Sequence, residues 1–484
     1  MIATWVQEEI SGVDLEDERL NKRLGKLLSD LGDRPTLSIP AACGGRAEMT
    51  AAYRFFDNDN VSYEKIMAPH RERTLQRAQA ESVVVLVADT TELDLTRPKK
   101  RVKGDGPLAT AARRGFHAHA MEAFTPDGTP LGEVWSRVWA RDDKSLAVSQ
   151  KAKRKKRKAA PIEEKESFRW VEGLQHSREF AKKCPSTKCV YVADSEADIY
   201  ELYAEKCGDT NPIQWVIRLC QDRALVPTTE AIEETSARLI QEKVKAAKVL
   251  FTKEISVRGR EAKVACEDRD RRQPRSDRKA QVEVRAATMT LSPPWRKDRK
   301  LPEVTVNVVL VSEPNPPAGE VPVEWLLITT LPINTEEDVR AVIQYYTTRW
   351  MIEILFRTLK SGCRIEQRRL ETKERMVACL AVYMIVAWRT LYVTRLGRSF
   401  PDIDCEAIFE PSEWKSVWTA VKGKPLPEKP PRLEDMVRLI AQLGGYVNTP
   451  GRKDPPGPQT VWIGLQRMRD LAWAWDVFGP GAPK

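Results

Sequence analysis

SVVVLVAD, residues 82–89, is an unbroken apolar run that ends on a carboxylate. Without polar alternation, such a run suits a strand buried on both faces, with its end expected at Asp89. KCVYVAD, residues 188–194, repeats the pattern and ends on Asp194, and SEADIYELYAEK behind it reads as helix. Two buried strands of this kind predict an α/β core, in which strand-terminal carboxylates converge although far apart in sequence. Residues 115–124 and 131–139 flank Pro126-Asp127-Gly128, a turn signal that predicts an antiparallel hairpin. IQWVIRL, residues 213–219, reads as a further short strand.

Outward from this core the periodicity changes. Residues 1–78 are helical in pattern: Leu20, Leu24, Leu27, Leu28 and Leu31 recur at helical spacing beside a basic flank of Arg19, Lys22, Arg23 and Lys26. Between about 220 and 330, the runs EISVR, AQVEVRAATMTL, EVTVNVVLV and EWLLITT alternate like strands, separated by charged or proline-rich links. Helical period returns from about 335. The expected organisation is a helical domain at 1–78, an α/β domain at 79–375 with a mostly β insertion at about 220–330, and a helical domain at 376–484.

The formal net charge of +10 over 484 residues leans toward a polyanionic partner without identifying it, since 69 acidic residues offset 79 basic ones. Residues 151–158, KAKRKKRK, hold seven basic residues in eight and read as a solvated loop that also offers non-specific phosphate contact. The nine cysteines form no C-x-x-C pair, and with four histidines a zinc site has few ligands, so free, mostly buried thiols are expected. The first residues lack the basic and apolar regions of a signal peptide, and the apolar run Val377–Trp388 is too short to span a bilayer. That run reads as a buried helix, and the expected location is the cytoplasm.

Aspartates of this kind are hard oxygen ligands, suited to Mg²⁺ or Mn²⁺. In two-metal phosphoryl transfer a third carboxylate usually completes a site whose ions lie about 3.5–4 Å apart. Residues 345–362, YYTTRWMIEILFRTLKSG, supply a candidate. Tyr346, Arg349, Glu353 and Lys360 lie at offsets 0, 3, 7 and 14. On a regular helix at roughly 100° per residue they fall within an arc of about 60°. Met351, Ile352, Leu355 and Leu359 take the other side. The same spacing also fits an exposed amphipathic helix with i,i+4 pairs.

The pattern Y-x-x-R-x-x-x-E-x-x-x-x-x-x-K, met by Tyr346, Arg349, Glu353 and Lys360, resembles the Y-R-E-K signature of bacterial DDE cut-and-paste transposases of the insertion-sequence-four class, in their Tn-five-like branch. Matching neighbourhoods are AYRFFDNDNVS (52–62), VADTTELD around Asp89, EKES-x-RW (164–170), VADSEADIY around Asp194, EWLLITT (324–330), EQRRLE (366–371) and LGGYV (443–447). They follow the family's order and cover nearly the whole chain; the lysine-rich tract and the Pro/Arg-rich part of the insertion are the least family-like.

The resemblance implies a ribonuclease-H-like catalytic core with a mostly β insertion, flanked by N-terminal and C-terminal α-helical domains. It implies that Asp89, Asp194 and Glu353 are the catalytic, metal-binding triad, holding Mg²⁺ with Mn²⁺ as a substitute. It further implies nicking at double-stranded transposon ends, hairpin formation and opening, and strand transfer into target DNA. Trp325 would cap a flipped base, although a core strand tryptophan looks the same. Tyr346, Arg349 and Lys360 would hold phosphates, and Arg218, Arg369 and Arg54 would be further DNA contacts. The C-terminal helices would pair two copies as a homodimer on DNA.

Glu92, Asp94, Glu196 and Asp198 flank the two aspartates and are discounted as ligands on the motif match. His117 and His119 share one side of a strand, as cleft residues or as structural ones. Two other readings are a DNA-binding regulator that does not cut and a structure-selective nuclease on the same fold.

Overall fold

The computed structural model describes residues 2–97, 100–110, 112–143, 160–205, 213–227, 238–257, 259, 276–447 and 454–480. The basic tract 151–158 and part of the Pro/Arg-rich link lie outside the described residues. The chain divides into two compact units, one of residues 1–154, 182–188 and 350–484, the other of residues 155–181 and 189–349.

The first unit opens with helices α1 (Thr4–Glu9), α2 (Glu18–Asp33), α3 (Ile39–Cys43), α4 (Arg46–Phe56) and α5 (Tyr63–Gln79). Asp17 caps α2 by accepting from the Arg19 N–H, and Leu24, Leu27, Leu28 and Leu31 are buried as their spacing requires. Ser62 caps α5 in the same way. Strands β1 (Val83–Asp94), β2 (Gly106–Pro107), β3 (Arg114–Phe124) and β4 (Pro130–Trp139) follow. β3 lies antiparallel between β1 and β4, and the β3–β4 turn passes through Gly128 at φ +90°. β1 does not end at Asp89 as expected. Residues 90–94 continue the strand because Thr91 and Leu93 alternate inward, so Asp89 sits in its middle, opposite Ala120. Gly115 is required on β3, since a Cβ there would lie 1.8 Å from the Leu93 carbonyl oxygen.

The second unit holds α6 (Phe168–Lys182), β5 (Lys188–Ala193), α7 (Tyr200–Tyr203), β6 (Gln214–Arg218), α8 (Ile240–Ala246), β7 (Val249–Val257), β8 (Arg278–Leu291), β9 (Val304–Ser312), β10 (Glu324–Thr329) and α9 (Glu336–Thr348). Behind β5 the expected single helix is broken, with a 3₁₀ turn at Ser195–Ala197 ahead of the short α7. β5 and β6 are parallel, and the order continues β6-β10-β9-β8-β7 with antiparallel neighbours. EWLLITT therefore bonds directly to IQWVIRL, with Leu327 opposite Arg218, and the β7–β9 meander extends from it. Thr335 and Asp338 form a reciprocal capping box that starts α9.

The chain then returns to the first unit with α10 (Trp350–Arg357), α11 (Lys373–Ser399), α12 (Pro411–Lys422), α13 (Leu433–Leu443) and α14 (Pro458–Phe478). α11, 27 residues, is long and apolar enough to cross a membrane, but 83% of its most apolar window is buried inside the protein, which makes it a core helix. Around its C-terminal part, Val393, Trp414, Val417, Ile440, Val461 and Met468 form one cluster. α13 and α14 approach so closely that a Cβ on Gly464 would lie 1.9 Å from the Ile440 carbonyl oxygen. Of the seven described cysteines, all free, only Cys220 is exposed.

Candidate active site

In the first unit, β1 carries Asp89 and α10 carries Glu353, and α10 packs on β1. Both carboxylates are half-buried. The Asp89 Oδ1 accepts from the Thr90 N–H at 2.7 Å. Burial of Met351, Ile352, Leu355 and Leu359 fixes the face of α10 that holds Glu353 away from the core. The helix does not continue regularly to Lys360: residues Thr358–Gly362 form a π turn, closed by a 2.8 Å bond from the Cys363 N–H to the Thr358 carbonyl. A wider turn shifts the phase of every later residue, so Lys360 departs from the position that uniform helical spacing gives it.

Lys360 lies instead in a small charge cluster. Its Nζ stands 3.9 Å from Glu366, whose Oε1 accepts from the Asp94 N–H at 2.9 Å. Burial holds the Lys360 ammonium below its ordinary pKa, opposed by Glu366, Glu92 and Asp94 and reinforced by Arg113. Arg113 pairs with Glu92 at 3.0 Å and Asp94 at 2.8 Å. These two carboxylates are thus engaged in ion pairs, which supports their exclusion from the ligand set. Arg113 escaped the sequence reading because its partners are distant in sequence, and Glu366, although it opens EQRRLE, was given no role there.

His117 and His119 are both buried. His119 shares a 2.8 Å hydrogen bond with the Thr90 hydroxyl and meets Trp135 edge-on, while His117 stacks on Trp139 at 5.3 Å. Both rings thus pack on tryptophans of the neighbouring strand β4. Of the two arginines in EQRRLE, Arg368 is buried and donates to the carbonyls of Pro35, Leu37 and Cys363, whereas Arg369 is exposed. Arg54 is exposed on α4 and lines a groove with Arg19, Arg23 and Arg46. Four guanidiniums from α2 and α4, one of them paired with Asp17, give that groove a net positive charge.

In the second unit, Asp194 follows β5 directly and its Oδ1 accepts from the Glu196 N–H at 2.8 Å, which orients a half-buried carboxylate at the strand end. Its neighbours are committed elsewhere. Glu196 pairs with Arg169 at 2.5 Å. Asp198, 4% exposed, accepts from the Cys220 and Gln221 N–H groups, the Tyr203 hydroxyl and Arg223.

The same unit gathers four predicted DNA contacts. The Trp325 and Tyr346 rings meet edge to face at 6.1 Å, and the Arg349 guanidinium lies 5.9 Å from the Tyr346 ring centre. Arg218, opposite Leu327, donates to the Glu324 carbonyl at 3.4 Å. Trp325 and Arg349 are half-exposed, but Tyr346 is only 6% exposed, so its ring is a support for Trp325 rather than an open phenol.

Among the described residues no three His, Cys, Asp or Glu side chains form a ready-made metal cage. Donor chemistry fits a hard divalent cation: Asp89, Asp194 and Glu353 are half-buried carboxylates that offer hard oxygen ligands, while Glu92 and Asp94 pair with Arg113 and Asp198 with Arg223.

Family models match three stretches in chain order. Residues 2–61 match a transposase DNA-binding model, residues 171–388 a transposase DDE domain, and residues 385–473 the transposase Tn5 dimerisation domain. Arg54 falls in the first match. Asp194, Arg218, Trp325, Tyr346, Arg349, Glu353, Lys360 and Arg369 fall in the second, and Asp89 lies ahead of it. A structural likeness covering 87% of this chain, with TM-score 0.32 and 11% identity, is to a piggyBac transposase synaptic complex with hairpin DNA, and this chain spans 62% of that protein's length. From the three family matches, the chain belongs to the DDE transposases, in their Tn5-like branch, with the ribonuclease-H-like core that a DDE domain implies.

Proposed function

We propose that this protein is a cut-and-paste DNA transposase that nicks double-stranded transposon ends, forms and opens a hairpin there, and joins the freed ends to target DNA. What carries the reading is the pair Asp194 and Glu353, half-buried carboxylates inside the DDE match, on a chain that also carries the family's DNA-binding and dimerisation regions. Asp89, Asp194 and Glu353 would hold divalent cations, with Mg²⁺ as the natural occupant and Mn²⁺ as a substitute. When bound, such ions activate the attacking oxygen and neutralise charge on the phosphate and leaving oxygen. Every step is an in-line displacement at phosphorus, so one set of carboxylates serves hydrolysis and strand transfer alike.

The protein's other residues position DNA. Arg54, with Arg19, Arg23 and Arg46, offers a basic groove to end DNA. Trp325, backed by Tyr346, presents an indole that suits stacking of an extruded base, and Arg218, Arg349, Lys360 and Arg369 supply cations for phosphates near the cleavage point. The parsing that follows is a DNA-end-binding domain at 1–78, a catalytic domain at 79–375 and a C-terminal domain at 376–484 that pairs two copies on DNA, with action at the nucleoid.

The test is cleavage of a plasmid carrying a marker between the inverted repeats that flank this gene, with Mg²⁺, comparing wild type and Glu353→Ala. Several kcal/mol of lost charge stabilisation corresponds to a rate loss on the order of 10³ or more. Excision and joined products from wild type, abolished in the variant, support the reading. Equal cleavage by both would refute the triad. Cleavage without strand-transfer products would favour a nuclease, and binding without cleavage a regulator.

A further inference from the structure

Trp295 is the most solvent-exposed large hydrophobic among the described residues, at 82%. It sits in the connection between β8 and β9, residues 292–303, SPPWRKDRKLPE. An indole so open to water costs solubility and contributes nothing to a core. The connection is nevertheless built, not slack. Tyr200, buried beneath it, donates to the Pro302 carbonyl at 2.8 Å, and its hydroxyl also stands 3.1 Å from the Leu291 carbonyl, so one side chain ties both ends. Arg296 pairs with Glu201 at 2.6 Å, and Arg299 with Glu163 at 2.7 Å. Pro293 and Pro294 stiffen the approach to the tryptophan. Beyond these anchors Lys297 and Lys300 are exposed, on the same short segment as the indole.

A held aromatic followed by two exposed lysines, with the intervening Asp298 paired to Arg299, is chemically matched to one partner class. The lysines suit phosphate, and an exposed indole suits the sugars that line a duplex groove, a sequence-tolerant combination. An apolar protein partner would be poorly served by the two nearby ammonium groups, which it would have to desolvate.

We propose that the 292–303 arm is a non-specific contact for duplex DNA outside the inverted repeats, with Lys297 and Lys300 on phosphates and Trp295 packed against the groove. This rests on the transposase reading above but concerns residues other than the carboxylates and the Trp325 group.

The experiment uses the full-length protein, an inverted-repeat duplex and a random-sequence duplex. Trp295→Ala and Lys297→Glu/Lys300→Glu are compared with wild type for affinity and salt dependence. Trypsin cleavage at Lys297, Arg299 and Lys300 is followed with and without DNA. Trp295→Ala is expected to weaken random-duplex binding at least about fivefold. The double lysine variant should flatten the log–log salt slope by roughly two. DNA should shield the tryptic sites, and excision at inverted repeats should stay within about twofold of wild type. Unchanged random-duplex affinity with unshielded tryptic sites, while wild type still binds and cuts inverted repeats, overturns this inference alone. Failure of wild type to cut inverted repeats overturns the transposase reading itself. A variant that changes the sedimentation of the DNA-free protein would assign the arm to a second copy of the chain and overturn the DNA contact.

Discussion

The Trp325 and Tyr346 rings meet with 6.1 Å between their centroids and 60° between their planes, joining a strand residue to a helix residue 21 positions later. Tyr346 is buried and Trp325 only half so, which makes the pair asymmetric: one ring is a wall, the other is presented. Tyr346→Phe keeps the wall and should leave both stability and excision near wild type. Tyr346→Ala removes it, with a loss of about 3–5 kcal/mol expected for a buried aromatic. Where that variant is still folded, hairpin formation should fall more than first-strand nicking, because Trp325 loses its support. Thermal denaturation and single-turnover cleavage on denaturing gels measure both effects. Equal loss of the two steps in a folded Tyr346→Ala protein would contradict a stacking role for Trp325.

Much of this arrangement is legible in sequence, and its failures have physical causes. The buried runs at 82–89 and 188–193 identified two core strands because two-sided burial leaves an unmistakable apolar signature. Where β1 ends was not legible, since TTELD reads as polar until β3 is known to pair with it as far as Asp94. Helical spacing grouped Tyr346, Arg349, Glu353 and Lys360, but a π turn at 358–362 has no signature in residue spacing, and it places Lys360 beside Glu366 and Asp94. Tyr346 was read as an open phenol because a helical wheel cannot show which neighbours cover it. The insertion likewise looked separate because strand pairing between residues 214–218 and 324–329 spans more than a hundred residues.

Lys360 should give the reaction a characteristic alkaline limit. Burial lowers its pKa below the ordinary value of 10.5, and Glu366 opposes that shift. The sign follows directly: the folded protein releases this proton at lower pH than the unfolded chain, so between the two pKa values stability rises with pH while the ammonium itself is being lost. Steps that need a cation at this position should therefore decline below pH 10.5. Glu366→Gln removes an opposing charge and should move the decline to still lower pH, while Lys360→Arg should abolish it. Lys360→Ala and Arg349→Ala should each weaken hairpin formation more than first-strand nicking. Rates of nicking and hairpin formation between pH 7 and 10 provide the check, and an identical alkaline limb in wild type and Lys360→Arg would show that another group sets it.

Glu122 sets a separate pH dependence, one of stability alone. It is 1% exposed on β3, and its Oε2 has no hydrogen-bond partner among the described residues. Burial, and then the negative charge of Glu133, push its pKa well above the usual carboxylate range, while Arg71 and Arg77 pull the other way. The folded protein therefore binds a proton that the unfolded chain has released, and stability present below the unfolded pKa near 4.5 is lost as pH rises toward the folded value. Glu122→Gln removes that penalty without changing the side-chain shape. At pH 8 it should stabilise the protein by about 1 kcal/mol, a rise in Tm of roughly 2–4 °C, with little change at pH 5. Glu133→Gln should behave oppositely. Glu133 is fully buried and accepts from the Tyr63 hydroxyl at 2.5 Å and from Arg71 at 2.7 Å, so neutralising it removes one of the two carboxylates paired with the half-buried Arg71, the other being Glu64, at a cost of about 1–3 kcal/mol. Differential scanning fluorimetry of the two variants from pH 5 to 9 decides the matter. A stabilised Glu133→Gln, or a Glu122→Gln protein less stable than wild type at pH 8, would mean that the buried charge resides on Glu122 instead.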